Sequence, residues 1–133
     1  MILANDSIAN VRDAIRRWVG LLSIGSFEKA ALEITTQGSP CSSGLLVEAI
    51  GRYSRKYRDA PANERARLVP KITSPNEMIP QGENMVMYVK DGSTVIEYDL
   101  PVENSWSDLT AKFRLNERNE GGAELSLVDI RVL

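Results

Sequence analysis

The stretch Met85-Val-Met-Tyr-Val-Lys-Asp-Gly-Ser-Thr-Val-Ile-Glu-Tyr98 decides the fold of this chain. Asp91-Gly92 is the favoured dipeptide of a two-residue type I′ turn, and strand-forming residues flank it on both sides. Counting outward from the turn, we expect one face to carry the pairs Val89 with Thr94, Met87 with Ile96, and Met85 with Tyr98. The other face then carries Lys90, Glu97 and Asp99. The hairpin therefore predicts an antiparallel sheet with one buried face.

The residues after this hairpin extend the sheet to four main strands. The predicted bounds are Asn84–Lys90, Ser93–Leu100, Ser107–Asn116 and Ala123–Val132. The third strand alternates apolar and polar residues, as a half-buried strand does. In the last strand the apolar phase changes between Leu127 and Val128, which a regular pleat cannot accommodate. We therefore expect a β-bulge near Val128 and Asp129.

The residues before the sheet have a helical pattern. Apolar residues from Ile8 to Leu22 recur every three or four positions, after the N-cap candidates Asn5, Asp6 and Ser7. We expect Gly25 to end this helix in a left-handed turn and Ser26 to cap a second one. A third helix is predicted from Ser42 or Ser43 to about Arg58, after a loop over residues 37–41.

Four of the six prolines lie between Asp59 and Gly82, which excludes a long helix there. We predict a loop around one short edge strand, Arg67 to Ile72. The predicted fold is a single α+β domain over residues 1–133. Three N-terminal helices pack on a curved antiparallel sheet of four main strands plus the short edge strand.

Composition bounds the class of protein. A chain of 133 residues with a hydrophobic fraction of 43% can form one core without covalent cross-links. Cys41 is the only cysteine, so an internal disulfide is excluded, and we interpret it as an ordinary loop residue rather than a reactive thiol. No leader pattern and no apolar run of about 18 residues is visible. The expected location is the cytoplasm, without membrane contact.

The absence of histidine removes most catalytic arrangements. A Ser-His-Asp relay and a histidine metal site are both excluded, so carboxylates would have to perform any acid–base chemistry. Asp129 is the one candidate, because a bulge can turn its side chain into a cavity. An exposed or strand-capping carboxylate is the preferred interpretation. We expect no catalytic residue, no metal and no cofactor.

Five segments of the chain resemble known domains. Val11-Arg-Asp-Ala-Ile-Arg-Arg-Trp18 and Gly25-Ser-Phe-Glu-Lys-Ala-Ala31 resemble the opening helix pair of the nuclear transport factor 2-like (cystatin-like) cone superfamily. Tyr98-Asp-Leu-Pro101, Trp106-Ser-Asp-Leu-Thr110 and Leu127-Val-Asp-Ile-Arg-Val132 resemble a small stand-alone bacterial domain. The resemblance implies a cone-shaped α+β fold. The likeness to the small bacterial domain also implies a function as an immunity protein against a polymorphic toxin. That superfamily also contains isomerases and ligand binders, so fold alone does not choose the function.

The cone interior offers an alternative function. A small-ligand pocket or a cofactor-free isomerase site could be lined by Trp18, Tyr53, Met85, Met87, Tyr98 and Phe113. Plain core packing is the preferred interpretation of these residues. A filled cone would remove this alternative, whereas a deep pocket with an inward carboxylate would favour it.

Charge is distributed unevenly along the chain. Eleven Lys and Arg against seven Asp and Glu give residues 1–74 a net charge of +4, whereas residues 75–133 carry five against eleven, a net charge of −6. The basic run contains Arg52, Arg55, Lys56 and Arg58, interleaved with tyrosines. A pI of about 5.2 argues against a nucleic-acid partner, so we interpret this run as a solvated helix face.

The predicted partner-binding residues are acidic and cluster near the end of the second strand. They are Glu97, Asp99, Glu103 and Asp108, with Trp106 among them. Charge speeds the encounter with a basic partner, and an exposed ring supplies a binding hot spot. The alternative is that the carboxylates only keep the sheet soluble while Trp106 packs inward. We expect a non-enzymatic binding protein, with an immunity protein that occludes a basic toxin as its specific form. A homodimer through the open sheet face is compatible with either function.

Overall fold

The computed structural model describes residues 1–36 and 38–132, and these residues form an α+β fold. The helices in this part of the chain are α1 (Ile8–Ser23), α2 (Phe27–Leu32), α3 (Ser43–Gly51) and α4 (Arg55–Asp59). The strands are β1 (Ile2–Leu3), β2 (Thr35–Thr36), β3 (Ser39–Pro40), β4 (Met85–Lys90), β5 (Ser93–Val102), β6 (Ser105–Glu117) and β7 (Ala123–Val132). Single 3₁₀ turns cover Arg65–Leu68, Pro75–Glu77 and Pro80–Gly82.

The strands form one open, mixed sheet in the order β3-β2-β7-β6-β5-β4, with β1 also paired to β7. The pairing of β2 with β7 is parallel, and the others are antiparallel. The prediction of an α+β fold is confirmed. The predicted number of helices, three, is wrong, because Arg55–Asp59 forms the additional helix α4. The prediction of a wholly antiparallel sheet is wrong too, because the short strand β2 pairs parallel with β7. The short strands β1, β2 and β3 were not predicted.

The predicted hairpin register is confirmed. Val89 lies opposite Thr94, Met87 opposite Ile96 and Met85 opposite Tyr98. Asp91 and Gly92 both have positive φ, 53° and 78°, as a type I′ turn requires. Because side chains alternate along a strand, this register fixes which residues of β4 and β5 face the helices.

The predicted bulge in β7 is also confirmed. Lys112 lies opposite Asp129 and Phe113 opposite Leu127, so Val128 has no residue opposite it in β6. The extra residue lets Leu127 and Ile130 both face the core, which is how β7 accommodates its change of apolar phase.

Helix α1 follows its predicted signals. The Ser7 side chain accepts a hydrogen bond from Asn10 N at 3.2 Å, which satisfies one of the free N–H groups of the first turn. At the other end Gly25 has φ 76°, Gly25 N donates to Leu22 O and Ser26 N donates to Leu21 O. These two bonds form a Schellman motif, so the left-handed end predicted at Gly25 is confirmed.

The third helix ends earlier than predicted. α3 stops at Gly51, and a separate helix α4 contains Tyr57. The break lets the Tyr57 ring fold back over Gly51, where a Cβ would overlap the ring, and its hydroxyl donates to Glu48 Oε2 at 2.7 Å. Glu48 and Tyr57 would lie about 13 Å apart along a continuous helix, so this contact needs the interruption.

The predicted edge strand Arg67 to Ile72 is wrong. Arg65–Leu68 is a 3₁₀ turn, and Ile72 makes only an isolated bridge to Val102. Pro70 lies between them and has no N–H to donate to a strand ladder. In the predicted loop 37–41, Gly38 belongs to the turn of the β2–β3 hairpin, whereas Gln37 lies outside the described residues.

The core lies between the helices and one face of the sheet. α1 contributes its buried stripe, and β5, β6 and β7 contribute alternate residues. The largest fully buried side chains are Trp18, Tyr98 and Phe113. None of the helices within residues 1–36 and 38–132 has both the length and the apolar character that a membrane crossing requires.

Candidate functional site

Glu97 and Asp99 lie on the face of β5 opposite the core, as predicted, because they flank the buried Tyr98. The Tyr88 hydroxyl donates to Glu97 Oε1 at 3.1 Å. Asp99 accepts from Asn84 Nδ2 at 2.9 Å and from Thr110 Oγ1 at 2.8 Å. Both carboxylates are therefore held in place by uncharged donors.

Glu103 and Asp108 lie near the far end of β5 and the start of β6. Glu103 has φ 51° in the turn between these strands, and its Oε1 accepts from Lys71 N at 3.3 Å. Asp108 Oδ1 accepts from the Tyr53 hydroxyl at 2.9 Å, which raises the pKa of Tyr53. We call Glu97, Asp99, Glu103 and Asp108 the carboxylate surface.

The carboxylate surface carries negative charge that no ion pair neutralises. None of its four members takes part in a salt bridge among the described residues, although other acidic side chains do. Basic residues lie nearby on the same face, since Lys112 is opposite Glu97 and Arg131 is opposite Thr110. The open sheet face as a whole therefore has mixed charge, and the acidic character is local to these four residues.

Trp106 does not join the carboxylate surface. Its ring packs edge-on against Tyr98, with 6.3 Å between centroids, and lies over Gly82. Its Nε1 donates to Ile79 O at 3.0 Å. Since Tyr98 faces the core and Glu97 and Asp99 face away from it, the structure separates the ring from the carboxylates. The inward packing that was the alternative for Trp106 is the arrangement observed.

A charged cluster that the sequence did not reveal lies beside Trp106. Glu83, whose side chain is only 8% exposed, accepts from Arg16 Nε at 2.6 Å and from the Tyr98 hydroxyl at 2.7 Å, both at Oε2. Arg12 Nε lies 3.3 Å from Oε1 and has no hydrogen-bond partner among the described residues. Arg12 and Arg16 share a helix face because they are four residues apart. The Glu83 cluster thus ties α1 to the segment just before β4 and to Tyr98 in the middle of β5.

The Glu83 cluster shifts the ionisation of its members. Burial alone would raise the pKa of Glu83, but hydrogen bonds from Arg16 and Tyr98 and the charges of both arginines outweigh it and lower that pKa. Burial and the hydrogen bond to Glu83 raise the pKa of Tyr98. Glu83 is therefore a fixed anion and Tyr98 a fixed neutral donor, which suits a structural role better than proton transfer.

The lowered pKa of Glu83 predicts an acid-sensitive contribution to stability. This contribution is complete above the unfolded-state value of about 4.3 and is lost as pH falls through the lower folded-state pKa. The measurement is the difference in unfolding free energy between the native chain and Glu83→Gln at a series of pH values. We expect a plateau above about pH 5 and a decrease toward lower pH. A difference that does not depend on pH would contradict the assignment.

The candidate pocket residues belong mainly to the core. Trp18 and Phe113 pack edge-to-face with 5.6 Å between ring centroids, and both are fully buried with Tyr98. Met85 and Met87 are partly buried against the same cluster. Tyr53 is also partly buried against this cluster, and its hydroxyl donates to Asp108. The interior that these residues would have lined as a pocket is filled by their side chains.

Asp129 lies at the confirmed bulge but has no catalytic surroundings. Its Oδ2 is 3.6 Å from Arg131 Nε, and its buried Oδ1 has no hydrogen-bond partner among the described residues. A groove of about 590 Å³ between α3 and β7 is lined in part by Asp129 and Glu48. Glu48 is already bonded to Tyr57 and paired with Arg52 at 3.7 Å. Within the described residues no cluster of acidic or cysteine side chains is arranged to hold a metal.

The basic run and Cys41 have ordinary surroundings. Arg52 and Arg55 form i,i+4 ion pairs with Glu48 and Asp59, as solvated helix faces often do. Arg65 lies over the Tyr57 ring at 5.6 Å. Burial raises the pKa of the Cys41 thiol, which lowers its thiolate fraction and hence its reactivity.

Comparison of the chain with known proteins gave no significant match: no family model, no curated protein sequence and no solved structure resembles it closely enough to assign it to a family.

Proposed function

We propose that this chain is a non-enzymatic binding protein whose carboxylate surface docks a basic protein partner. The proposal rests on the hydrogen bonds and, among the described residues, the missing ion pairs of Glu97, Asp99, Glu103 and Asp108. Each is held by an uncharged donor, and none is paired with a cation in the described part of the chain. Their negative charge therefore remains available to a partner.

The geometry of these carboxylates favours rapid and specific association. Hydrogen bonds from Tyr88, Asn84 and Thr110 restrict the side chains before a partner arrives, so less conformational entropy is lost on binding. Unpaired charge steers an oppositely charged protein toward the surface, which raises the association rate more than the final affinity. The filled interior supports binding at the surface rather than chemistry inside the fold.

A narrower form of the proposal rests on the resemblance of the Tyr98–Pro101 and Trp106–Thr110 segments. In this form the fold is a cystatin-like cone of the nuclear transport factor 2-like superfamily, and the protein is a bacterial immunity protein. It would act in the cytoplasm by covering a basic toxin, through steric and electrostatic occlusion without a chemical step. The local acidic character of the carboxylate surface supports this choice of partner, since many nucleases that cleave polyanions are basic.

The double charge reversal Glu97→Lys with Asp99→Lys tests the docking surface. The partner to use is the toxin domain encoded next to the gene of this chain. We expect the association rate at low ionic strength to fall about tenfold or more, because four units of charge change at the docking surface. Stopped-flow mixing at increasing salt measures the effect, which should shrink as the Debye length falls to about 3 Å at 1 M.

The matched control is Glu77→Lys with Glu117→Lys. It makes the same change of net charge at two exposed residues outside the carboxylate surface. If the control slows association as much as the test variant, the effect reflects net charge and the docking surface is wrong. If the adjoining toxin is neither bound nor neutralised by the native chain, the immunity function is wrong.

A further inference from the structure

We propose that the free edge of β4 is a self-association surface, on which a second copy of this chain pairs antiparallel to extend the sheet. Strand β4 ends the sheet on one side, and β5 is its strand partner. This inference does not rest on the proposed function, because it is argued from the backbone groups and side chains of the β4 edge. The two surfaces meet at Asp99.

The hairpin geometry determines which backbone groups of β4 face the free edge. In a two-residue hairpin the residues flanking the turn, Lys90 and Ser93, exchange both backbone hydrogen bonds, and the pattern alternates from there. Asp99 N donates to Asn84 O at 3.2 Å, which fits this alternation. The groups that point away from β5 are therefore the N–H and C=O of Met85, Met87 and Val89.

The two edges of the sheet differ in how they are protected. At the β3 edge the strand has two residues, Ser39 and Pro40, and proline cannot donate to an added strand. At the β4 edge the strand has six residues, contains no proline and pairs with β5 without a bulge. Its only charged residue is Lys90, at the end. β4 thus lacks the features by which proteins usually prevent edge-to-edge pairing.

The sequence of β4 is complementary to itself in one antiparallel register. A two-fold axis at Met87 places Met87 opposite Met87 of the second copy, and it pairs Met85 with Val89. All three residues have free backbone groups, so about six hydrogen bonds form. On the other face Val86 pairs with Tyr88. Val89 is 74% exposed and Val86 43% exposed, so the register buries apolar surface that water now covers.

The same register brings opposite charges together at its two ends. Lys90 of the second copy lies opposite Asn84, whose side-chain amide donates to Asp99 Oδ2. A lysine side chain is long enough to reach the neighbouring strand on that face. Lys90 and Asp99 form no ion pair within the described residues. Pairing of two copies therefore supplies each with a complementary charge.

The test is the mass of the full chain across micromolar to millimolar concentrations, measured by sedimentation or light scattering. We expect a reversible change from monomer to dimer. Amide hydrogen exchange then locates the interface. The N–H groups of Met85, Met87 and Val89 should gain protection as the dimer forms, whereas those of Val86 and Tyr88, already bonded to β5, should not change.

Two variants of Val89 separate backbone pairing from other effects. Val89→Pro removes one edge N–H that β5 does not use, and it should weaken dimerisation about tenfold or more. Val89→Lys keeps every backbone N–H, so it controls for any folding defect that proline causes. It should weaken dimerisation by a similar factor, because the lysine charge would be buried in the dimer. The control is Ile24→Lys, because Ile24 is 73% exposed and lies outside the edge.

The proposal is overturned if the chain stays monomeric at every concentration. It is also overturned if a dimer forms without protection of the three edge amides, which would indicate pairing through another surface such as the open sheet face. The proposal is likewise overturned if both Val89 variants form the dimer as well as the native chain does. It is also overturned if Ile24→Lys weakens the dimer as much as the Val89 variants do. Failure of any of these tests leaves the carboxylate surface untouched, so the two proposals are tested separately.

Discussion

Replacing Glu83 by alanine is expected to lower the free energy of unfolding by roughly 2–3 kcal/mol. The substitution removes the acceptor for Arg16 and Tyr98 and the anion beside Arg12. The fully buried Tyr98 cannot turn its hydroxyl to bulk water without repacking. The cost falls below that of a completely buried ion pair, because the side chains of Arg12 and Arg16 remain 40% and 28% exposed and can be partly rehydrated.

Two further variants separate charge from hydrogen bonding in the Glu83 cluster. Glu83→Gln keeps the shape and one acceptor but removes the charge, so it should cost less than alanine. Glu77→Ala is the control, because Glu77 is exposed and should change stability by no more than about 0.5 kcal/mol. Urea denaturation measures all three. A Glu83→Ala effect equal to that of the control would show that the cluster contributes nothing to stability.

The β4–β5 hairpin and the bulge in β7 could be predicted because the residues that determine them are adjacent in sequence. The Asp91-Gly92 turn fixes the register of β4 and β5 without reference to any distant residue. The bulge at Val128 was predictable for the same reason, since the change of apolar phase occurs within one strand. Helix ends at Ser7 and Gly25 follow from residues within one turn of each end.

The Glu83 cluster was not predictable because it depends on tertiary contacts. Arg12 belongs to helix α1, Glu83 follows the 3₁₀ turn Pro80–Gly82, and Tyr98 belongs to strand β5, so no sequence period relates them. One signal was present: Arg12 and Arg16 lie four residues apart beside the apolar stripe of α1, where a buried partner for them could be expected. The short strands β1, β2 and β3 have two residues each, too few to show any period.

The carboxylate surface shows both the strength and the limit of strand alternation. Alternation placed Glu97 and Asp99 correctly on the outer face, because β5 is regular through Tyr98. It did not place Trp106, because the pairing of β5 and β6 is irregular between Asp99 and Pro101. Past such an irregularity, alternation no longer determines which face of the sheet a side chain occupies. The position of Trp106 is determined instead by its contacts with Tyr98 and with Ile79 in the segment before β4.

Replacing Trp18 by alanine is expected to have the largest effect, a loss of about 4 kcal/mol in the free energy of unfolding. Trp18 is fully buried, packs edge-to-face with Phe113 and donates its Nε1–H to Ala30 O at 3.0 Å. Alanine removes the ring contact and leaves the Ala30 carbonyl without its donor. The cavity that remains between α1 and β6 can collapse only partly, because interiors are close-packed.

The size of the Trp18→Ala effect also distinguishes a packed core from a ligand pocket. If Trp18 lined an open cavity, truncation would enlarge that cavity with few lost contacts and would cost well under 2 kcal/mol. Trp18→Phe restores most of the apolar volume but no donor, so it should cost about half as much as alanine. Trp106→Ala is the matched control at a half-buried ring. A Trp18→Ala effect below about 2 kcal/mol, no larger than that of Trp106→Ala, would contradict the filled interior and revive the small-ligand alternative.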